Sequence, residues 1–245
     1  MSKDIKAIVL AAGQGKRLGS GEAGIPKVMR MAGGKPLLGH VLDKLSFIPP
    51  EDSIIIVGYM KEQVMDAFPA YRFAEQKEQL GTGHAVSMAR PLLEGFDGSV
   101  LVCCGDMPLI SRATYEALRD EHLSSGADCT ILSGIYDEKK SYGRIIRSED
   151  GSFERIVEQK DCTPEEDAVR EYNSGVYMFS APALLSSLDS LSCNNAQHEF
   201  YLTDVPAIIL SRGGKISLCR RELNNELIGV NTREELELVD RLLRG

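Results

Sequence analysis

The stretch AIVLAAGQGKRLGSGEAGIPK, Ala7–Lys27, decides how the rest of the chain is read. Its opening run, Ala7–Ala12, is uniformly apolar and too short for a surface helix, which predicts a strand buried on both faces. The run breaks into a glycine-rich loop that carries Lys16 and Arg17, with Lys27 further on. In an open α/β sheet, ligands sit beyond the carboxyl ends of the strands, so this loop is placed to meet one. Two familiar phosphate templates fail on it. The dinucleotide fingerprint G-x-G-x-x-G needs glycine where Leu18 stands, and a Walker A loop ending at Gly34-Lys35 needs glycine at Met29 and a hydroxyl residue at Pro36. What remains is L-A-A-G-x-G-x-R followed by Pro26-Lys27. Glycine lets backbone come close to a triphosphate, Arg17 can fork onto phosphate oxygens, and Lys27 supplies a mobile point charge. The other reading of Gly13–Gly15 is a plain structural turn.

Outward from this loop the chain alternates. KPLLGHVLDKLSFI (Lys35–Ile48) sets Leu37, Leu38, Val41, Leu42 and Leu45 on one helical face. SIIIVG (Ser53–Gly58) and SVLVCCGD (Ser99–Asp106) read as further buried strands, the second ending on a carboxylate. KEQVMDAF, GHAVSMARPLL and RATYEALRDEHLSSG read as helices, and ADCTILSGI as another strand. This alternation implies βαβ units, and hence an α/β fold with a Rossmann-like, mostly parallel sheet flanked by helices. After Tyr142 the pattern changes. GRIIRSEDGSFERIVEQ reads as a hairpin turning at Asp150-Gly151, NSGVYMF adds a strand and TDVPAIILS starts a helix, which together predict a small antiparallel accessory region. The last helix opens with a capping box, Thr232 to Glu235, ahead of an apolar stripe of Leu236, Val239 and Leu243.

Composition narrows the partners. The chain has 245 residues, enough for one substantial core, and a net charge of −8. Wrapping nucleic acid calls for a basic face, so an anionic ligand here must be met by a local cluster of amides and a few cations. None of the six cysteines forms a C-x-x-C pair and most lie in apolar runs, which reads as reduced core thiols. The N-terminal apolar run is too short for a signal peptide, and no segment approaches the ~20 apolar residues of a membrane span. The expectation is a cytoplasmic protein.

The motif LAAGQGKRL with Pro26-Lys27 is followed in order by EQLGTGHA, GDMPLI, YGRI, IVEQKD, EYNSGVYMF, NNAQHEFYLTD and GVNTREEL. This series resembles the sugar-nucleotide pyrophosphorylases, and within them the uridylyltransferase domain of the bacterial bifunctional enzymes of N-acetylglucosamine 1-phosphate. The resemblance implies Mg²⁺-dependent transfer of UMP from UTP to N-acetylglucosamine 1-phosphate, giving UDP-N-acetylglucosamine and pyrophosphate for cell-envelope precursors. It also implies a nucleotidyltransferase domain over residues 1–230 and a C-terminal helix over 231–245. The acetyltransferase β-helix of the bifunctional enzymes is not expected in this chain, which leaves a single-function enzyme or an excised domain, with the oligomeric state open and a monomer among the options.

Residue by residue, the resemblance implies that Arg17 and Lys27 grip the triphosphate, Lys27 nearest the α-phosphate. It assigns the base to Gln76, Gln79, Gly81 and Thr82, with the loop Ala11, Ala12, Gly13 and Gly15. Asp106 and Asn231 become the Mg²⁺ ligands, each of which read alone is equally a helix or turn cap. Gly143, Glu158, Asn173, Tyr201 and Thr203 form the sugar pocket. Read alone, Glu158 is an ordinary exposed strand residue and QLGTG a turn before a helix. Four histidines without zinc spacing leave Mg²⁺ as the expected metal. Three features depart from the family: the long link LGSGEAGI, Cys104 in place of an aromatic, and Phe200 in place of a tyrosine. Other nucleotidyltransferases and a silent nucleotide-sugar sensor are the rival readings.

Overall fold

The computed structural model describes residues 4–18 and 24–245 of the protein. Most of the link LGSGEAGI lies outside the described residues. Strand β1 (Ile5–Leu10) carries the loop, followed by α1 (Leu37–Lys44), β2 (Ser53–Val57), α2 (Lys61–Ala67), β3 (Arg72–Glu75) and α3 (Thr82–Ser87). Next come β4 (Ser99–Cys104), α4 (Arg112–Ser125) and β5 (Cys129–Ile135), then the hairpin β6 (Arg144–Arg147) and β7 (Phe153–Val157). The chain closes with β8 (Glu171–Ser180), α5 (Ala181–Leu188), α6 (Val205–Ser211), β9 (Ile216–Arg221) and α7 (Arg233–Arg244).

The main sheet runs β9-β5-β8-β4-β1-β2-β3, with the β6–β7 hairpin attached to β8. β1 pairs in parallel with both β2 and β4, while β8 lies antiparallel between β4 and β5. The fold is therefore the expected mostly parallel α/β sheet. One detail differs: the antiparallel strand predicted for the accessory region, β8, runs through the middle of the main sheet. It reaches the hairpin only at its start, where Tyr172 pairs with Arg144.

The uniformly apolar strands are explained by two cores. Ala7, Val9, Leu101 and Cys103 face one side of the sheet, and Ile8, Val100 and Val102 face the other, so alternate residues of β1 and β4 serve both. The stretch read as one helix from Gly83 to Leu93 is α3 followed by a 3-10 turn at Arg90–Leu92; Pro91, which has no amide hydrogen to donate, marks the break. A third, smaller core joins the loop to the C-terminus. Leu18, Ala32 and Leu37 pack with Val230 and Val239, and the Gly33 amide donates to Asp240 at 2.8 Å. The Thr232–Glu235 capping box is formed as predicted. All six cysteines are free; Cys103, Cys129 and Cys219 are buried, the others half-buried. Among the described residues no helix is long and apolar enough to cross a membrane.

Candidate active site

The carboxyl ends of β1 and β4 lie side by side, with Leu10 opposite Cys104 in the register. The chain beyond them is pinned at once, Gly105 donating its amide to the Leu10 carbonyl at 2.9 Å. This brings the glycine loop next to Asp106. Lys27 enters from the far end of the loop, and its ammonium donates to the Asp106 carboxylate and, at 3.0 Å, to Asn231 Oδ1. Burial, the largest single influence, lowers the Lys27 pKa, but the charge and hydrogen bond of Asp106 together with neighbouring Glu235 more than offset it, and the net shift is upward, so the ammonium stays charged.

Neither oxygen donor is spent on helix capping. Ser111 caps α4 and Thr232 caps α7, which frees Asp106 and Asn231 for a cation. Their separation in sequence is closed by the Val230 amide, which donates to the Asp106 carbonyl at 3.0 Å. One carboxylate and one carboxamide oxygen converging on a single cationic group suit a hard ion that keeps waters and substrate phosphates as its other ligands. Among the described residues no cluster of three or more His, Cys, Asp or Glu side chains could hold a metal, which sets this centre apart from a zinc site.

Two cavities open from this centre. The first, of about 280 Å³, is lined by Leu10–Gly13, Lys27, Gln76, Gln79, Gly81, Thr82 and Asp106. Its backbone is held by its own side chains: Gln79 Nε2 donates to the Ala12 carbonyl at 2.9 Å and Gln76 Nε2 to the Gly81 carbonyl at 3.0 Å. Gly81 and Gly13 differ in kind. At Gly81 φ is +110° and a Cβ would lie 2.5 Å from the Phe200 carbonyl oxygen, so glycine is demanded by the protein's own packing. At Gly13 a Cβ would meet no atom of the described residues within 4 Å, so their packing makes no demand for glycine there.

The second cavity, of about 200 Å³, shares Leu10, Thr82, Cys104 and Asp106 with the first. Its walls are Tyr142 and Gly143, Glu158, Thr203, Asn231 and the stretch Asn173–Gly175. The pairing of β8 with β5 shifts register between Asn173 and Tyr177, and this bulge sets Asn173 on the cavity. Asn173 donates to the Tyr177 hydroxyl at 2.7 Å and accepts from the Gly175 amide at 3.2 Å, which fixes its orientation. Glu158 accepts from the Thr203 hydroxyl at 3.1 Å. Burial raises the Glu158 pKa, and the nearby Asp161, Asp204 and Glu199 raise it further against the Thr203 hydrogen bond.

Most predicted site residues thus meet around Asp106. Three do not line either cavity. Arg17 is exposed on the 3-10 turn Lys16–Leu18. Gly15, with φ +68°, serves that turn, its carbonyl accepting the Leu18 amide at 3.0 Å. Tyr201 is buried, its hydroxyl accepting from Gln197 at 2.8 Å and donating to Asp161 at 3.3 Å. Glu199, Tyr142 and Ser174 line the cavities and were not singled out from the sequence, although each lies in or beside a quoted motif. Cys104, noted as a departure, stands in the wall common to both cavities, and burial pushes its thiol pKa up, which keeps it protonated.

Paired cavities that share one carboxylate, with an ammonium group bound to it, suit a nucleotidyl transfer between two anionic ligands, and fold and site together define a nucleotidyltransferase. The chain belongs to the MobA-like NTP transferase family, whose domain matches residues 7–199. It is 43% identical over 239 residues to the bifunctional protein GlmU of Geobacillus thermodenitrificans, covering 97% of this chain and 51% of that protein. The bifunctional protein GlmU of Lactococcus lactis is 42% identical over 239 residues, with 97% of this chain and 52% of that protein covered. The chain therefore spans about half the length of the curated relatives it matches. In fold it is similar to a glucose-1-phosphate thymidylyltransferase structure from Bacillus anthracis, with a TM-score of 0.73 at 20% identity over 98% of this chain and 95% of that one.

Proposed function

We propose that the protein transfers UMP from UTP to N-acetylglucosamine 1-phosphate, releasing pyrophosphate and forming UDP-N-acetylglucosamine. The observation that carries this reading is the meeting of the two cavities at Asp106, whose carboxylate Lys27 reaches from the nucleotide side. The nucleotide takes the cavity of the glycine loop. There Gln76 and Gln79, their amide nitrogens already committed to backbone carbonyls, keep carboxamide oxygens to accept a uracil N–H. The sugar takes the second cavity, where Glu158 accepts from hydroxyls and Gly143, Asn173 and Thr203 complete the wall. Tyr201 belongs to this side through the segment that holds it. Arg17, exposed at the end of the loop, meets the terminal phosphates.

The sugar phosphate oxygen attacks the α-phosphorus as the bond to the β-phosphate oxygen breaks, and pyrophosphate leaves. The nucleophile is already an anion, since the second pKa of a phosphate monoester is about 6, so no general base is required. The task is to bring two anions together, which is positioning and charge neutralisation. Lys27 neutralises charge at the α-phosphate. Asp106 and Asn231 would hold Mg²⁺, which when bound offsets phosphate charge and orients the triphosphate. Loss of Lys27 from Asp106 to the phosphate leaves that carboxylate open to the metal. A cytoplasmic enzyme is the natural setting for a reaction that consumes UTP.

Pyrophosphate release from purified protein tests the reading, with UTP, dTTP and CTP crossed against N-acetylglucosamine, glucose and N-acetylgalactosamine 1-phosphates. Release confined to UTP with N-acetylglucosamine 1-phosphate supports it. Preference for another pair moves the substrate, and nucleotide binding without release from any pair contradicts the transferase reading.

A further inference from the structure

Glu158 opens a single 3-10 turn, Gln159–Asp161, whose last residue faces another part of the chain. Asp161 accepts the Ala196 amide on one carboxylate oxygen at 2.8 Å and the Tyr201 hydroxyl on the other at 3.3 Å. Beside it, Lys160 donates to Gln197 Oε1 at 2.7 Å, and Gln197 in turn donates to the Tyr201 hydroxyl at 2.8 Å. The segment held here, Ala196–Thr203, is bound equally firmly on its other side. The Phe200 amide donates to the Leu80 carbonyl and the Phe200 carbonyl accepts the Gly83 amide, both at 2.8 Å. The Leu202 amide donates to Thr82 Oγ1 at 3.0 Å. The segment also stiffens itself, Asn195 donating to the Glu199 carbonyl at 2.6 Å.

On the Asp161 side, the residues doing this holding are not those that meet a ligand. Asp161, Ala196 and Gln197 line neither cavity. What they hold are the two walls: the loop Leu80–Gly83 of the nucleotide cavity, and the turn that carries Glu158 into the sugar cavity. We propose that Ala196–Thr203 is a strap fixing the sugar-binding turn against the nucleotide loop, and that Asp161 is the positioning residue that sets Glu158 on the sugar. This rests on the sugar reading of the second cavity. The strap also accounts for Tyr201, which acts on the sugar side through Asp161 and not by touching the ligand. It works by hydrogen bonding: what Asp161 supplies is two acceptor oxygens at fixed positions. Its negative charge acts against the function, since it disfavours the ionised form of Glu158.

The test is a KM-against-kcat comparison of Asp161→Ala, Asp161→Asn and Tyr201→Phe, with UTP affinity measured separately by calorimetry without sugar phosphate. Asp161→Ala is expected to raise the KM for N-acetylglucosamine 1-phosphate about tenfold, the scale of losing charge-assisted hydrogen bonds, and to leave kcat and UTP affinity within about twofold. Asp161→Asn keeps an oxygen for the Ala196 amide, and the tyrosine hydroxyl can turn to face its NH₂, so it should recover to within about threefold of wild type. Tyr201→Phe removes one hydroxyl and should raise the same KM about threefold without touching UTP affinity; it carries the test if Asp161→Ala does not fold. An Asp161→Asn enzyme as weak as Asp161→Ala would mean that charge acts and not the clasp, and would overturn the proposal. Equal losses in UTP affinity and sugar KM, or no change in either, would overturn it as well. Failure of the wild-type enzyme to saturate with the sugar phosphate, with UTP still bound, would instead strike the substrate reading on which the proposal rests.

Discussion

The two cavities are built differently. The nucleotide side is made of backbone from one short stretch, Leu10–Gly13, and a loop only a few residues long, Gln76–Thr82, and its side chains largely hold that backbone in place. The sugar side is assembled from side chains on four distant pieces of chain: the start of β6, the turn after β7, the bulge in β8 and the strap before α6. The first kind of wall is set by where glycine is allowed. The second is set by long-range hydrogen bonds, and it carries the half-buried, charge-disfavoured carboxylate Glu158. Substitutions should therefore damage the two sides in distinct ways.

The largest effect belongs to the cation bound to the carboxylate that both sides share. Lys27→Met removes the cation at the junction and is expected to slow pyrophosphate release about 10²–10³-fold, the usual cost of losing a group that stabilises developing charge. Next come the two glycines, which separate packing from ligand approach. Gly81→Ala drives a Cβ to 2.5 Å from the Phe200 carbonyl at a positive φ, and should destabilise the fold by about 3 kcal/mol in a urea titration. Gly13→Ala meets no atom of the described residues, so the same titration should move by less than ~0.5 kcal/mol while the KM for UTP rises about tenfold. Equal loss of stability in both variants would erase the distinction.

Glu158→Gln sharpens the contrast from the sugar side. It should raise the KM for the sugar phosphate about tenfold and leave that for UTP unchanged. The raised Glu158 pKa means that the folded protein holds its proton more tightly than the unfolded chain, so this group favours folding as pH falls and opposes it when ionised. Glu158→Gln should thus raise the Tm near neutral pH while it weakens sugar binding. In the wild-type enzyme the acid limb of kcat/KM for the sugar phosphate should lie above the ordinary glutamate range, because the acceptor form is lost as pH falls through the raised value. The smallest effect is expected at Arg17, which is exposed: Arg17→Ala should leave the Tm unchanged and raise the KM for UTP about threefold or less, with the difference shrinking as salt is added.

The same contrast explains what the sequence disclosed. β1, β2 and β4 are buried on both faces and announce themselves as short apolar runs, and α4 and α7 carry both their caps and their stripes. The edge strands β3 and β9 are mostly exposed or half-buried, so no alternation marks them, and α5, only eight residues long with Pro182 in its first turn, is too short to show a clear period. Position in the sheet was hidden too: nothing in EYNSGVYMF says that β8 inserts between β4 and β5. At the site, the glycine loop and the acid ending β4 could be picked out because each is a local pattern at the end of a strand. Glu158 and Asn173 have no local signal, since their roles depend on a hairpin turn and a bulge brought to the same cavity. Asp161 was quoted only as the end of a motif. Its partners lie across the strap, at a distance along the chain that no periodicity reports.

The most direct measurement is a crystal structure of the protein with UDP-N-acetylglucosamine and Mg²⁺. Uridine against Ala11–Gly13 and Gln79, the sugar against Glu158 and Asn173, and the diphosphate crossing the Asp106–Lys27 junction are the predicted result. A nucleotide sugar held wholly within one cavity, or bound with the sugar away from Glu158, would contradict the account.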